Sequence, residues 1–478
     1  MLKTFQNIIE SPFSRKILEM SLKECEKCGQ SKLESALKYY VGSQENICRT
    51  CKMILPLVKT IIKQGLKSFD TDEEALKNQM QNQYWMKGLV SVIKGLTYFG
   101  LNRPFIPGAP FQIVWNITRR CNLNCLHCYE NAGLPDDDEL TRQEVLDGID
   151  KLADQKIASL SFSGGEPTTH PNILEFIKYA SDKGLFVSIA SNGYVFADKD
   201  KVKEYEQAGL NLVQISLDGV KAKTHDEFRQ VNGAWKKAVE AIDNFSQTQV
   251  NIGVATTVTK NNLKEIPEII KFVQSKNINW LMLYNFIPTG NGDNIRNLDL
   301  SPEERFELLE WIYKENRNNN FSILSTAPEF ADVSIHMAEC NTNELSFVPT
   351  HFYNIEYTNP QMKQLAQFIG GCGAGRFYIA IEPNGDIYPC VFLPHDKQLK
   401  VGNIKDDLEE MWKNNEMLQK LRNKDMLSGC CHECESRYIC GGCRARAYTI
   451  NNDILSEDPG CIRHLTNYEN IIDEIESK

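Results

Sequence analysis

The sequence predicts an α/β protein: six parallel strand–helix units in an open sheet or partial barrel, with a cysteine-bearing extension at each end. Three observations carry this. From about residue 111, short β-rich runs alternate with amphipathic stretches in units of roughly 30 residues. Three cysteines, Cys121, Cys125 and Cys128, follow the first of those runs directly. The other cysteines fall mostly in clumps with CxxC spacing at the two ends of the chain.

The strands are expected at 111–118, 157–163, 186–191, 212–217, 252–258 and 280–286. Between them, "TRQEVLDGIDKLAD" opens with Thr141 and Glu144 at capping-box spacing, and "PNILEFIKYASDKG" and "LKEIPEIIKFVQSK" share its helical period. We divide the chain into an N-terminal extension with a four-cysteine site and amphipathic helices (1–104), the barrel (105–290), a helical bridge (291–370) and a glycine- and cysteine-rich module (371–478). In parallel α/β folds ligands gather at the carboxyl ends of the strands, where the cysteine triplet lies.

Composition narrows the function. A chain of 478 residues, 42% hydrophobic and 24% charged, reads as globular. It opens without a secretory h-region and has no apolar run of about 18 residues, so a cytoplasmic location is expected. The net charge of −10 argues against nucleic acid as a partner. That charge is uneven: residues 1–110 hold 16 basic and 10 acidic residues, the remainder 37 and 53. Sixteen cysteines in such a chain point to metal rather than disulfides. Three thiolates complete neither a tetrahedral zinc site nor an iron–sulfur cluster, which leaves one position for another ligand.

The C-x3-C-x2-C loop, with "SGGEP" (163–167), "SNG" (191–193) and "SLDG" (216–219) after later strands, resembles the radical S-adenosylmethionine (radical SAM) enzymes over about residues 105–465. The resemblance implies a partial (β/α)6 radical SAM barrel. It also implies a [4Fe–4S] cluster on Cys121, Cys125 and Cys128, whose open iron is chelated by SAM. One electron from the cluster then splits SAM into methionine and a 5′-deoxyadenosyl radical that abstracts a substrate hydrogen. By the same resemblance Gly164, Gly165, Glu166 and Pro167 hold the SAM amino group. Ser191 and Asn192, Ser216 and Asp218, Arg229 and His127 are further SAM contacts. A low-potential donor such as flavodoxin or ferredoxin is implied as partner.

Cys372-x12-Gly385-x4-Cys390 and Cys431-x2-Cys434-x5-Cys440-x2-Cys443-x17-Cys461 resemble the SPASM extension, which carries auxiliary [4Fe–4S] clusters. Carried over residue by residue, Cys431, Cys434, Cys440 and Cys461 hold the distal cluster, and Cys372, Cys390 and Cys443 the proximal one. The proximal fourth ligand is Cys430, Cys340 or an open iron. Cys25-x2-Cys28-x19-Cys48-x2-Cys51 lies outside that resemblance and fits a tetrathiolate site for zinc or a mononuclear iron.

The expected substrate is a peptide, a protein or a tetrapyrrole-like cofactor precursor. Two other readings stand beside it. The stripe Trp85, Leu89, Val92, Leu96 and Phe99, with Lys87 and Lys94 on another face, either packs against the barrel or lies in a membrane interface. The latter would mean peripheral membrane contact and a lipid substrate. A non-catalytic electron carrier would explain the cysteines but would not need the GGEP, SNG and SLDG turns.

Overall fold

The computed structural model describes residues 12–69, 72–276, 278–318, 322–340 and 370–477. It opens with a hairpin of β1 (Glu24–Cys25) and β2 (Gln30–Ser31), turned through Gly29 at a φ of +66°. The helices Pro12–Leu22, Lys32–Tyr40, Leu55–Phe69 and Gln83–Phe99 share a core of their own, including Leu18, Leu33, Leu37, Val58 and Ile93.

Helix Gln83–Phe99 takes the packed arrangement, but with a different buried face from the expected stripe. Met86, Val90, Ile93, Leu96 and Thr97 are buried, while Trp85 and Val92 are 39% and 41% exposed. A Cβ on Gly95 would stand 2.3 Å from the Ile106 carbonyl oxygen, so backbone meets backbone there. Lys87 donates to the Gly184 carbonyl at 2.7 Å, and Lys94 pairs with Glu409 at 2.9 Å. The helix is apolar around most of its circumference, which leaves its inward face ambiguous in sequence. No helix among the described residues is long and apolar enough to cross a membrane.

The main sheet contains β3 (Gln112–Asn116), β4 (Ser159–Ser163), β5 (Phe186–Ser191), β6 (Leu212–Ser216), β7 (Asn251–Val258) and β8 (Trp280–Asn285), all parallel and paired in sequence order. Each lies within two residues of its expected run. The first helix, Arg142–Asp154, begins with the Thr141–Glu144 capping box. Side chains alternate across the strands. Ile113, Trp115, Leu160, Phe162, Val187, Ile189, Val213 and Ile215 belong to the main core. The alternate positions, among them Asn116, Ser161, Ser163, Ser188, Gln214, Ser216, Thr257 and Tyr284, make the opposite face polar. Parallel sheets covered on both sides read apolar on both, so a serine-rich face marks an interior meant for a ligand.

The sheet runs past the six expected strands at both edges. β9 (Ser322–Ser325), from the bridge expected to be helical, pairs parallel with β8. β10 (Tyr378–Ile381), from the cysteine-rich segment, pairs parallel with β3 and is followed by antiparallel β11 (Asp386–Tyr388) and β12 (Gly402–Asn403). A six-stranded open barrel leaves two rows of unpaired backbone groups, and the flanking segments satisfy both. Buried arginines reinforce the join. Arg446 pairs with Asp299 and donates to Asn285 Oδ1, while Arg305 pairs with the same Asp299 and donates to the Gly460 carbonyl.

Candidate active site

The loop leaving β3 carries the triplet. It is closed by hydrogen bonds from the Cys121 N–H to the Gly133 carbonyl (3.0 Å) and from the Gly133 N–H to the Arg119 carbonyl (2.9 Å). Cys125 is buried; Cys121 and Cys128 are half-buried. The Leu123 and Ala132 N–H groups point at Cys121 Sγ and Cys128 Sγ from 3.4 and 3.5 Å, and Arg229 Nη1 stands 3.7 Å from Cys125 Sγ. Burial pushes the Cys121 thiol up to about 12 and raises Cys125 against the pull of Arg229. A bound metal would hold such sulfurs as thiolates by displacing their protons.

The GGEP turn presses against this loop. A Cβ on Gly164, whose φ is +122°, would lie 2.5 Å from the Thr118 carbonyl oxygen, and one on Gly165 2.4 Å from that of Arg120. Only glycine permits the approach. Glu166, 1% exposed, accepts from the Thr168 N–H and hydroxyl (3.2 and 2.7 Å), the Ser191 hydroxyl (2.9 Å) and the Asn192 N–H (2.8 Å). Burial raises its carboxyl, and these donors pull the other way. Three of these donors meet Oε1 and only the Asn192 N–H meets Oε2, which keeps a lone-pair direction open. Glu166 thus fastens the SNG turn to the GGEP turn, with Pro167 starting the short helix Pro167–Thr169. Asn192 Nδ2 extends the chain of bonds to Asn122 Oδ1 on the cysteine loop (2.8 Å).

Ser216 ends β6, and Asp218 just beyond it is fully buried. Arg229 Nε donates to Asp218 Oδ2 at 2.6 Å and the Thr257 N–H to Oδ1 at 2.8 Å. Burial alone raises the Asp218 carboxyl, but the Arg229 guanidinium overcomes this and holds it below the ordinary range. Arg229, with 11% of its side chain exposed, is an internal ion-pair partner rather than a solvated surface residue. The His127 ring stacks on Phe228, with centroids 4.0 Å apart and planes 10° apart. Burial lowers its pKa to about 3, so it is a neutral imidazole. The "NFIPTGNG" segment (285–292) meets the same loop: Asn291 N–H donates to the Cys128 carbonyl at 2.8 Å, and Asn291 Nδ2 to that of Cys125 at 3.3 Å.

The C-terminal thiols form two groups. Cys372, Cys390 and Cys443 share an apolar cluster, in which the Tyr378 hydroxyl stands 2.7 Å from Cys390 Sγ. Cys440 is pushed up by burial, then by Cys461 and Cys431, while Cys434 also feels Cys431. Cys430 sits with this second group, hydrogen-bonded to Cys431. The side chain of Cys340 lies outside the described residues. Buried cations stand among these thiols. Lys424, 2% exposed, is lowered to about 8 by burial against the pull of Cys372. Arg376, fully buried, is lowered to about 9 by burial. Arg444 Nη2 lies 3.8 Å from Cys431 Sγ. Buried cations held off their usual values call for nearby negative charge, which thiolate-ligated clusters carry.

The N-terminal cysteines are packed differently. Cys25–Cys48, Cys48–Cys51 and Cys28–Cys51 Sγ distances are 3.5, 3.5 and 3.8 Å, too long for disulfides and close to the roughly 3.8 Å edge of a tetrahedron with 2.3 Å metal–sulfur bonds. Beside the Thr50 hydroxyl, 2.9 Å away, the Cys48 thiol falls to about 6. Among the described residues, the groups of three or more potential ligands with every ligand atom within 4.8 Å are these four cysteines, Cys430–Glu457–His464 and Glu130–Glu382–His395. The Cys121 triplet is more open, as a cluster rather than a single ion requires.

Sequence reasoning did not pick out Asn116, Tyr129, Glu130, Glu382 and His395. Glu130 follows the triplet in the same loop, and β10 brings Glu382 beside Asn116. The Tyr129 hydroxyl lies 3.3 Å from Ser163 Oγ, and its ring is edge-on to Phe392 at 5.1 Å. Only the long-range pairing of β10 with β3 assembles this group, so no local motif marks it.

The fold and the open thiolate triplet define an α/β-barrel metal-cluster protein. Residues 115–273 match the radical SAM superfamily and residues 372–435 an iron–sulfur cluster-binding domain, SPASM. The chain is 33% identical over 358 residues to the AdoMet-dependent heme synthase of Methanosarcina barkeri, covering 74% of this chain and 97% of that one. It is 27% identical to the mycofactocin maturase of Mycobacterium tuberculosis, covering 74% and 83% respectively. Streptococcus suis SuiB bound to S-adenosylmethionine shares the fold, with a TM-score of 0.60, 18% identity and coverage of 90% of this chain and 91% of that one. The chain belongs to the radical SAM superfamily and is an enzyme of that family; its two domains imply [4Fe–4S] clusters and SAM.

Proposed function

We propose that the enzyme reductively cleaves SAM with an electron from a flavodoxin- or ferredoxin-type donor and abstracts a hydrogen atom from a tetrapyrrole-like cofactor precursor. The supporting observation is the meeting of the Cys121 loop, the Glu166–Ser191–Asn192 bonds and the Asp218–Arg229 pair at the carboxyl ends of β3 to β6, above a polar inner face. The 97% coverage of the heme synthase supports the substrate class over a peptide.

In this reading Cys121, Cys125 and Cys128 hold the SAM-binding cluster, which with SAM supplies the radical. The chain's own groups hold it in place. Arg229 balances the Cys125 thiolate. Asn291 fixes the carbonyls of Cys125 and Cys128. Glu166 holds the SNG turn through the Ser191 hydroxyl and the Asn192 N–H, and its Oε2, with one donor, is open to a further bond from the SAM amino group. Cys372, Cys390 and Cys443, and Cys431, Cys434, Cys440 and Cys461, hold two auxiliary clusters, and zinc fills the N-terminal site. The test is deuterium transfer: the reduced, reconstituted enzyme given SAM and a perdeuterated tetrapyrrole precursor should yield deuterated 5′-deoxyadenosine. Deuterium arriving only from a labelled peptide would move the substrate to the maturase class.

A further inference from the structure

Glu130, Glu382 and His395 come from the cysteine loop, the residue after β10 and the stretch between β11 and β12, yet they meet on one spot. His395 Nε2 lies 3.2 Å from Glu382 Oε1 and 3.8 Å from Glu130 Oε1. Asn116 Nδ2, at the end of β3, donates to the same two oxygens at 3.1 and 2.5 Å. Asn116, Glu130 and Glu382 are 0%, 2% and 3% exposed. Asn116 Oδ1, Glu130 Oε2 and Glu382 Oε2 are buried and lack hydrogen-bond partners. Two carboxyl groups facing each other in the interior, with acceptor oxygens left over and one amide between them, cannot both carry charge without a cation; with none bound, they share a proton.

We propose that Glu130, Glu382 and His395 bind one divalent transition-metal ion on the inner face of the barrel, with the Asn116 amide oxygen as a further donor. No cysteine is among its ligands, although Glu130 stands two residues after Cys128 on the same loop. Two carboxylates and an imidazole suit Mn2+, Fe2+ or Zn2+, not a thiophilic ion. The 3.2 and 3.8 Å separations are close to the roughly 3.0–3.4 Å between neighbouring ligands on bonds of about 2.1 Å, so a small contraction completes the site. Asn116 serves by turning its amide, which exchanges a donor between two carboxylates for an oxygen toward the ion. His395 binds through Nε2 with its proton on Nδ1. That turns away the 3.4 Å approach of Arg119 Nη2, whose guanidinium keeps Asp136 at 2.8 Å.

The experiment uses reconstituted holoprotein passed over a chelating resin, titrated anaerobically with Mn2+, with free Mn2+ read by EPR. One tightly bound Mn2+ per chain is expected, lost in a Glu130→Gln/Glu382→Gln double variant whose iron and sulfide contents match wild type. The amide replacements keep side-chain shape and remove buried charge, so folding is retained. His395→Asn provides a single-site control and should weaken binding without abolishing cluster assembly. If the wild-type protein leaves all Mn2+ free, or if the double variant retains the bound ion, the proposal is wrong.

Discussion

In the N-terminal extension, four cysteines in two CxxC pairs bring their sulfurs to 3.5–3.8 Å, the spacing of ligands around one ion. In the C-terminal segment, cysteines that also include CxxC pairs stand in looser groups, with Lys424, Arg376 and Arg444 buried among them. Spacing in sequence is shared; spacing in space and local charge are not. A lone ion draws four thiolates into contact, whereas an iron–sulfur cube holds them apart and adds negative charge that buried cations can balance. In the proposed reading the Cys121 loop is of the second kind, with Arg229 beside Cys125 in place of the C-terminal cations.

The two kinds of site part most sharply at the N terminus. Cys28→Ser should release the single ion and, because such sites supply about 10 kcal/mol or more of folding free energy, unfold the Pro12–Phe99 region. Metal analysis and limited proteolysis check this. Retention of the C-terminal clusters separates the two kinds of site.

Arg229→Gln should cost about 3–5 kcal/mol, since it leaves the Asp218 carboxylate buried and unpaired. The sign with pH follows from the depressed Asp218 pKa. The pair stabilises the fold above the unfolded carboxyl value, and this contribution fades as pH falls through the lower folded value. Denaturant midpoints of wild type and variant should therefore converge in acid, below about pH 4.

Ile93→Ala, at a fully buried position of the N-terminal core, should cost about 2–5 kcal/mol. Trp85→Ser, half exposed on the same helix, should cost less. The packed helix also predicts no salt-sensitive co-sedimentation with anionic vesicles.

The smallest effect is the sharpest about charge. Lys424→Met should stabilise the cluster-free chain by about 1–3 kcal/mol, because an uncompensated buried cation is removed, yet destabilise the reconstituted protein. Thermal melts of both forms would show the reversal.

Much of this was legible in sequence because it is local. The six strands carry their own β-rich runs, Thr141 and Glu144 sit three apart, and the triplet and GGEP turn are contiguous. What was not legible depends on distant partners. β9 and β10 are short strands whose place is set by the edges they pair with. Glu382 and Asn116 meet only because β10 chooses β3. Arg229 was legible as a SAM contact but not as the partner of buried Asp218, and the face of helix Gln83–Phe99 was hidden by its apolar circumference.

The proposed site of SAM cleavage is the open triplet on the β3 loop. It is tested most directly by measuring 5′-deoxyadenosine formed from SAM by reduced, reconstituted wild-type and Cys125→Ala protein. The account predicts steady production by the wild type and none above background by the variant, with the C-terminal iron retained. Undiminished production by Cys125→Ala would contradict it.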